Sequence, residues 1–338
     1  MRRIGVGVIG VGIQGEAHVI CFKELANAKL VAVSDINEKR GRYIAQKYGA
    51  KFYRDYHEML RDPEVDIVSV ATPDYAHKEP VIAAAEAGKH IIVEKPMATS
   101  INDAEDMVRA VKKAGVKFMV NFENRFNPAY VRVKDIIKQG LIGRPLHIYA
   151  RLSDTIYVPT RMLGWSAKTT VAFFLMSHTA DLARWYFEDE AYMVYAIAHK
   201  DVLAGIGINT PDLYVAIVNF RRGGTANLES CWILPESMPS VFDFKLEVIG
   251  SEGAVFVDTQ KEGVEEYTKQ EGRYAHFIKL YEIHGTYAGF LKEALAHFVR
   301  CVLEDREPIV KPEDGLANVK ILVAVDRSAR EGRPITIS

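Results

Sequence analysis

Arg3-Ile4-Gly5-Val6-Gly7-Val8-Ile9, Gly10-Val11-Gly12-Ile13-Gln14-Gly15, Glu16-Ala17-His18-Val19-Ile20-Cys21-Phe22 and Leu30-Val31-Ala32-Val33-Ser34-Asp35 all fall near the start of the chain, in that order. The first run is apolar on both faces, as a central strand of a parallel sheet is. The last reads as a second such strand that ends at a carboxylate, and Glu16 to Phe22 reads as a helix. A lone G-x-G-x-x-G is a weak signal. Here it stands between a strand and a helix, with an acidic residue twenty positions after its last glycine, which is the context a dinucleotide fingerprint requires. A glycine-rich turn beside an N-capping aspartate would account for each piece but not for the set. In the fingerprint, Gly10 allows the tight turn, Gly12 lets a pyrophosphate approach the backbone, and Gly15 lets the helix close on the strand. The N–H groups at the helix start then receive the anion. Asp35 would accept from ribose hydroxyls and repel a 2′-phosphate, so NAD is favoured over NADP. Ile13, Gln14 and Ile36 flank these positions and complete the set expected to touch the dinucleotide.

At 338 residues the chain is too long for one ordinary core, and two domains are expected. With 49% hydrophobic and 26% charged residues it has a globular composition. A formal net charge of −1 gives no electrostatic reason for nucleic acid or an anionic membrane as partner. No apolar stretch approaches a membrane span, and Met1-Arg2-Arg3 leads straight into a strand instead of a signal peptide. Cys21, Cys231 and Cys301 form no metal or redox motif, which suits a reducing cytoplasm. None of the ten histidines falls in a ligand spacing such as H-E-x-x-H, so no metal is expected.

Strand and helix signals alternate through the next stretch. Helices are expected over 37–49, 55–61, 78–88 and 101–115, the last capped by Ser100 with Asp103 three residues on. Strands are expected over 65–71, 90–93 and 117–120. Residues 1–122 therefore read as a doubly wound parallel sheet, a Rossmann domain of the α/β class. Thr72, Asp74, His77, Glu94, Lys95, Asn121 and Arg125 lie just past the strand ends, where the ligand crevice of such sheets opens. Past Pro128 the pattern changes. Helices are expected over 129–139 and 171–187, and strands over 146–152, 213–220, 225–232 and 242–249. A helical stripe follows, formed by Tyr287, Phe290, Leu291, Ala294, Leu295, Phe298, Val299 and Val302. Residues 123–338 thus read as an α+β domain with a large, mostly antiparallel, open-faced sheet. Its last helix, 314–331, is expected to return toward the first domain.

The fingerprint, Thr72-Pro73 with His77, Glu94-Lys95-Pro96, Arg125-Phe126-Asn127-Pro128 and Ser177-His178-Thr179-Ala180-Asp181-Leu182 together carry a resemblance. Over nearly its whole length the chain resembles the glucose–fructose oxidoreductase/inositol dehydrogenase (Gfo/Idh/MocA) family, with Glu-Lys-Pro the most specific element. The resemblance implies an NAD(P)-dependent oxidoreductase of sugars, polyols or sugar derivatives. It also implies a homodimer or homotetramer built through the sheet of the second domain. By position, Lys95 would reach both the nicotinamide ribose and the substrate hydroxyl, and Pro96 would follow a cis bond. Thr72, Pro73 and His77 would line the cofactor, Arg125 would lie near its nicotinamide half, and His178 would be an acid/base. Tyr157, Arg161, Trp165 and Trp232 are candidate contacts to a carbohydrate-type substrate lying between the domains. There is one departure: Phe174 occupies the place, four residues before His178, where the family usually has an Asp. Two functions compete on this reading. One is an NAD-dependent dehydrogenase acting on a secondary alcohol of a sugar, inositol or nucleotide-sugar. The other is a non-catalytic dinucleotide-binding redox or ligand sensor that has lost its proton relay.

Overall fold

Strand β1 (Ile4–Ile9) is the centre of the first sheet, and its Val6, Val8 and Ile9 are buried. It is followed by α1 (Ile13–Glu24), β2 (Ala28–Ser34), α2 (Glu38–Tyr48), β3 (Lys51–Tyr53), α3 (Tyr56–Leu60) and β4 (Ile67–Val70). Then come α4 (Lys78–Glu86), β5 (His90–Glu94), α5 (Ile101–Ala114) and β6 (Phe118–Asn121). The six strands are ordered β3-β2-β1-β4-β5-β6 and all pair in parallel. The order reverses between β1 and β4, which puts the expected ligand crevice at their carboxyl ends. Local chemistry sets the helix limits. Asn37 caps α2 by accepting from the Arg40 N–H, and Gly49 ends it at φ 73°. Ser100 accepts from the Asp103 N–H at 3.1 Å and donates to its carboxylate at 2.8 Å. The sequence reading lacks only β3 here, because three residues are too few to display a period. The computed structural model describes residues 3–337; Met1, Arg2 and Ser338, including the start of the N-terminus read as leaderless, lie outside the described residues.

The chain divides into two compact units, Met1–Phe126 with Ile278–Leu316, and Asn127–Phe277 with Ala317–Ser338. The second unit begins with α6 (Pro128–Lys138) and β7 (Pro145–Asp154). The helix expected over 171–187 is two pieces, a π-helical turn at Ala172–Met176 and then α7 (Ser177–Phe187). After it come β8 (Ala191–His199), α8 (Val202–Gly205), β9 (Leu213–Phe220), β10 (Thr225–Cys231), β11 (Phe242–Gly250) and β12 (Ala254–Asp258). A short hairpin follows, β13 (Glu265–Tyr267) with β14 (Gly272–Tyr274). The sheet runs β12-β11-β7-β10-β9-β8, with β7 and β10 parallel and the other pairs antiparallel. Strand β8 is absent from the sequence reading for a physical reason. Its buried side is Val194 and Ala196, while its solvent side carries Tyr195 and Ile197, so polarity does not alternate. One face of the sheet is covered by Ile148, Ala216, Leu228, Leu246 and their neighbours, packed with α7 residues such as Leu182 and Tyr186.

At Ile278 the chain returns to the first unit. A hairpin of β15 (Tyr281–Ile283) and β16 (Thr286–Ala288) leads into α9 (Phe290–Leu303). The apolar stripe of α9 packs against α1 and β6, which corrects the expected 123–338 limits of the second domain. Tyr287, read as part of that helical stripe, belongs to β16. The last helix, α10 (Pro312–Glu331), starts in the first unit, where a Cβ at Gly315 would meet Val120 at 2.7 Å and Met97 at 2.9 Å. Its later turns bury Ile321, Leu322 and Val325 in the core of the second unit, and β17 (Ile335–Thr336) pairs antiparallel with β8. Among the described residues no helix is long and apolar enough to cross a membrane.

Glu16, in the first turn of α1, gathers the neighbouring cations. It accepts from Arg40 at 2.6 Å, Lys47 at 2.8 Å and Tyr48 at 2.8 Å. Burial alone would raise its carboxyl, but those bonds lower it to about 2. A carboxyl that titrates lower folded than unfolded contributes stability above its ordinary 4.5, and that contribution is lost as pH falls toward 2. Glu16→Gln should therefore lower the melting temperature at pH 7 by roughly 2–4 °C. The gap from the unaltered protein should close below pH 4.5, as read by calorimetry across that range.

Candidate active site

The three fingerprint glycines are glycines for different reasons. Gly10 lies at φ +80°, and a Cβ there would sit 2.8 Å from the Ala71 carbonyl oxygen. A Cβ at Gly15 would lie 1.9 Å from the carbonyl oxygen of Gly10, so α1 can close on β1 only without one. A Cβ at Gly12 would meet nothing within 4 Å. The fold itself thus demands two of these glycines, and the third leaves open backbone where a ligand can approach. No side chain caps α1 at Gly12, so its first N–H groups remain available to an anion. Asp35 accepts from the Val11 N–H at 2.9 Å and the Asn37 N–H at 2.8 Å, which fixes the carboxylate at the end of β2. Arg40 donates to the Val11 carbonyl at 2.8 Å and clamps the turn from outside. Ile13 and Ile36 stand in solvent, 67% and 90% exposed, and offer apolar surface beside it. These features fit a dinucleotide.

The ends of β4, β5 and β6 hold the other candidates. Thr72 donates to the Ala76 carbonyl at 3.1 Å. His77 is buried, with its ring nitrogens 2.9 Å from the carbonyl oxygens of Thr72 and Pro96, so it ties two strand ends together instead of presenting its ring to a ligand. The Lys95–Pro96 peptide is cis. One oxygen of Glu94 accepts from His18 at 2.8 Å, Asn121 at 2.6 Å and Gln14 at 3.2 Å. Burial alone would raise the Glu94 carboxyl, but those bonds and the nearby Lys95 charge hold it well below the usual carboxylate range. Burial lowers the Lys95 ammonium from its ordinary value, and the charges of Glu123 and Glu94 oppose that fall. The Asn121 side-chain oxygen is buried and has no partner among the described residues, an acceptor left open at the strand ends. Arg125 is buried over the Phe122 ring, and donates toward the Ile309 carbonyl at 3.4 Å and Asp314 at 3.5 Å.

The second-unit candidates fall into two groups. Arg161 lies over the ring of Tyr157 and pairs with Glu236 at 2.8 Å, an exposed arrangement. Phe174, in the π-helical turn, packs its ring 6.0 Å from Trp165 and 6.1 Å from Trp232. Trp232, expected as a substrate contact, is instead a core residue. It is fully buried, and its indole N–H donates to the Pro211 carbonyl at 2.8 Å. Phe174 is therefore backed by an aromatic wall. His178 and Asp181 are both buried on α7. Four residues of the first unit escaped the sequence reading of the site: His18, Ser69, Glu123 and Lys279. His18 and Ser69 were detectable as polar side chains at otherwise apolar positions of α1 and β4. Lys279 pairs with Glu123 at 3.2 Å across more than a hundred and fifty residues of sequence, and no local pattern signals that.

The contrast between the glycines yields a test of the cofactor site. Gly12→Ala should leave the melting temperature nearly unchanged and weaken dinucleotide binding, measured by quenching of protein fluorescence. Gly15→Ala should lower the melting temperature itself, because its methyl group meets backbone.

Comparison with known proteins agrees with this arrangement. Residues 4–122 match the family described as "Oxidoreductase family, NAD-binding Rossmann fold", and residues 134–337 match "Oxidoreductase family, C-terminal alpha/beta domain". The chain is 30% identical to the myo-inositol 2-dehydrogenase of Thermotoga maritima, covering 98% of both chains. It is 29% identical to the scyllo-inositol 2-dehydrogenase (NAD(+)) of Bacillus subtilis, covering 99% of this chain and 97% of that protein. A crystal structure of a probable dehydrogenase from Thermotoga maritima superposes with a TM-score of 0.82 at 28% identity, covering 99% of each chain. The chain belongs to the Gfo/Idh/MocA oxidoreductase family, as an enzyme of the NAD(P)-dependent dehydrogenase and reductase type.

Proposed function

We propose that this enzyme uses NAD to interconvert a secondary alcohol and its ketone in an inositol or a closely related cyclic sugar derivative. The observation that carries the reading is Lys95. It leaves the carboxyl end of β5 beside the glycine turn, and burial lowers its ammonium toward the range of a usable base. Support for an inositol comes from two relatives named as inositol dehydrogenases that align over almost the entire chain. The bound nicotinamide supplies the hydride acceptor or donor. Lys95 takes the hydroxyl proton in oxidation and returns it in reduction. His178 is assigned the second proton-carrying role. With Phe174 in place of a carboxylate, no charge at that position raises its basicity, so Lys95 carries the larger share. Tyr157, Arg161 and Trp165 are assigned to substrate. Asp35 is assigned to the ribose diol, which favours NAD over NADP.

The outer face of the second sheet supports self-association as a homodimer or homotetramer. Tyr195 pairs with Ile217 and Ile197 with Val215 on that face, and all four are exposed. Phe256, 70% exposed on β12, stands on the same face near the other edge of the sheet, beyond Asn227, Tyr149 and Glu247.

Two experiments test the reading. NAD should bind more tightly than NADP, and Asp35→Ser should weaken NAD by about 1.5–3 kcal/mol, the worth of hydrogen bonds to a charged group. Equal dissociation constants in the unaltered protein would sink the cofactor assignment. In a screen of inositols, sugars and UDP-sugars followed by nicotinamide absorbance, Lys95→Met should cut kcat by roughly 10²–10⁴-fold, with NAD binding changed much less. His178→Asn should cost less. Near-full turnover of Lys95→Met would refute its role, and NAD binding without turnover of any compound would favour a ligand sensor.

A further inference from the structure

His18 and Ser69 are both fully buried, although α1 and β4 meet there across an otherwise apolar layer. Such polar burial is costly unless every group is satisfied, and two apolar side chains would pack the same layer at no such cost. Among the described residues, His18 meets Ser69 and Glu94 at short hydrogen-bond distances, and the amide nitrogens of Asn121 and Gln14 lie farther from its Nε2, at 3.4 Å and 3.5 Å. His18 Nδ1 lies 2.7 Å from the Ser69 hydroxyl, and its Nε2 lies 2.8 Å from Glu94 Oε1. Glu94 is held ionised and can only accept, so Nε2 carries a hydrogen toward it, while Nδ1 pairs with the serine hydroxyl. Glu94 is the last residue of β5, and Lys95 follows it directly. Gln14, in the first turn of α1, donates to the same Glu94 oxygen at 3.2 Å. The chain Ser69–His18–Glu94 therefore runs from β4 through α1 to the point where Lys95 leaves the sheet.

We propose that His18 is a positioning residue for Lys95: it anchors Glu94 to β4 and so fixes the direction in which the lysine leaves β5. The proposal rests on the reading of Lys95 as the acid–base group and adds to it a residue that touches neither substrate nor nicotinamide. The charges acting on Lys95 are Glu94 on its own strand, Glu123 after β6, Asp74 after β4 and Lys279 before α9. Only Glu94 is held by His18. If Glu94 loses that anchor and swings away or takes a proton, Lys95 loses one attractive carboxylate. The acid limb of the rate profile then moves to lower pH.

The test compares His18→Leu, His18→Gln and Ser69→Ala in the full-length enzyme. His18→Leu should lower kcat by about 10- to 100-fold, as expected for a displaced reacting group, with the acid limb shifted down and NAD affinity changed far less. His18→Gln keeps an N–H that can reach Glu94 and should recover most of the rate and the original limb. A purely structural histidine would lower the melting temperature without moving the limb. A folded His18→Leu with unchanged kcat and limb, or a His18→Gln no better than His18→Leu, overturns the proposal. Should His18→Leu not fold, Ser69→Ala decides: a slower rate with a shifted limb supports the relay, and no change overturns it. The titration of Lys95 can also be followed by the ¹³C-dimethyl resonance of the methylated protein, assigned by its absence in Lys95→Met. That readout needs no turnover, so failure of the catalytic reading and failure of this one remain distinguishable.

Discussion

A helix can lie directly on a strand only where neither interposes a side chain, and the approach of Gly15 to the Gly10 carbonyl is such a place. The rest of the first unit depends on it. It seats α1 across the sheet, and from that seat His18 reaches Ser69 and Glu94, and Glu16 reaches the cations of α2. It also leaves the first turn of α1 without a side-chain cap, with its N–H groups open at the carboxyl end of β1. One backbone contact thus leaves the first turn of α1 open and sets the spacing to the polar hub behind it.

That hub stands out in a sheet whose buried strand residues are mostly apolar. One Glu94 oxygen receives three donors, two from α1 and one from β6. A carboxylate in such a layer is tolerable only because its lone pairs are satisfied. The arrangement also has a directional consequence. Apolar packing would hold β5 at a given depth but would not specify rotation at its last residue, whereas hydrogen bonds do. Glu94 and Asn121 can therefore shape the site from within, as scaffolding for neighbours that face outward. His77 does the same for the strand ends at Thr72 and Pro96.

The second unit solves a different problem. Its sheet covers one face with helices and leaves the other in solvent, so Tyr195, Ile197 and Phe256 are exposed by architecture. On the covered side, the π-helical turn before α7 carries Phe174 between Trp165 and Trp232. A widened turn of this kind often marks a functional segment. Here it delivers an apolar ring, four residues before His178, to a place walled by two indoles.

Much of what depends on short-range order is legible in the sequence, although the three-residue β3 and the π-helical turn before α7 are not. The glycine spacing, the acid at position 35, the cap at Ser100, and the alternation of strand and helix are local patterns. They can be read because turn sterics and side-chain periodicity act over a few residues. The same reading located Lys95 as a candidate, and the family resemblance added His178 and gave both their roles. Tertiary structure alone decided the rest. It assigned α9 to the first unit, because a helical stripe specifies that a face is buried and not what buries it. It turned Trp232 into a core residue and His77 into a tie between strands, because exposure is a property of the packed molecule. It brought Ser69, His18, Glu94 and Asn121 to one buried point and Lys279 to Glu123. Each of those contacts joins residues far apart in the chain, and only the close packing of distant segments creates it.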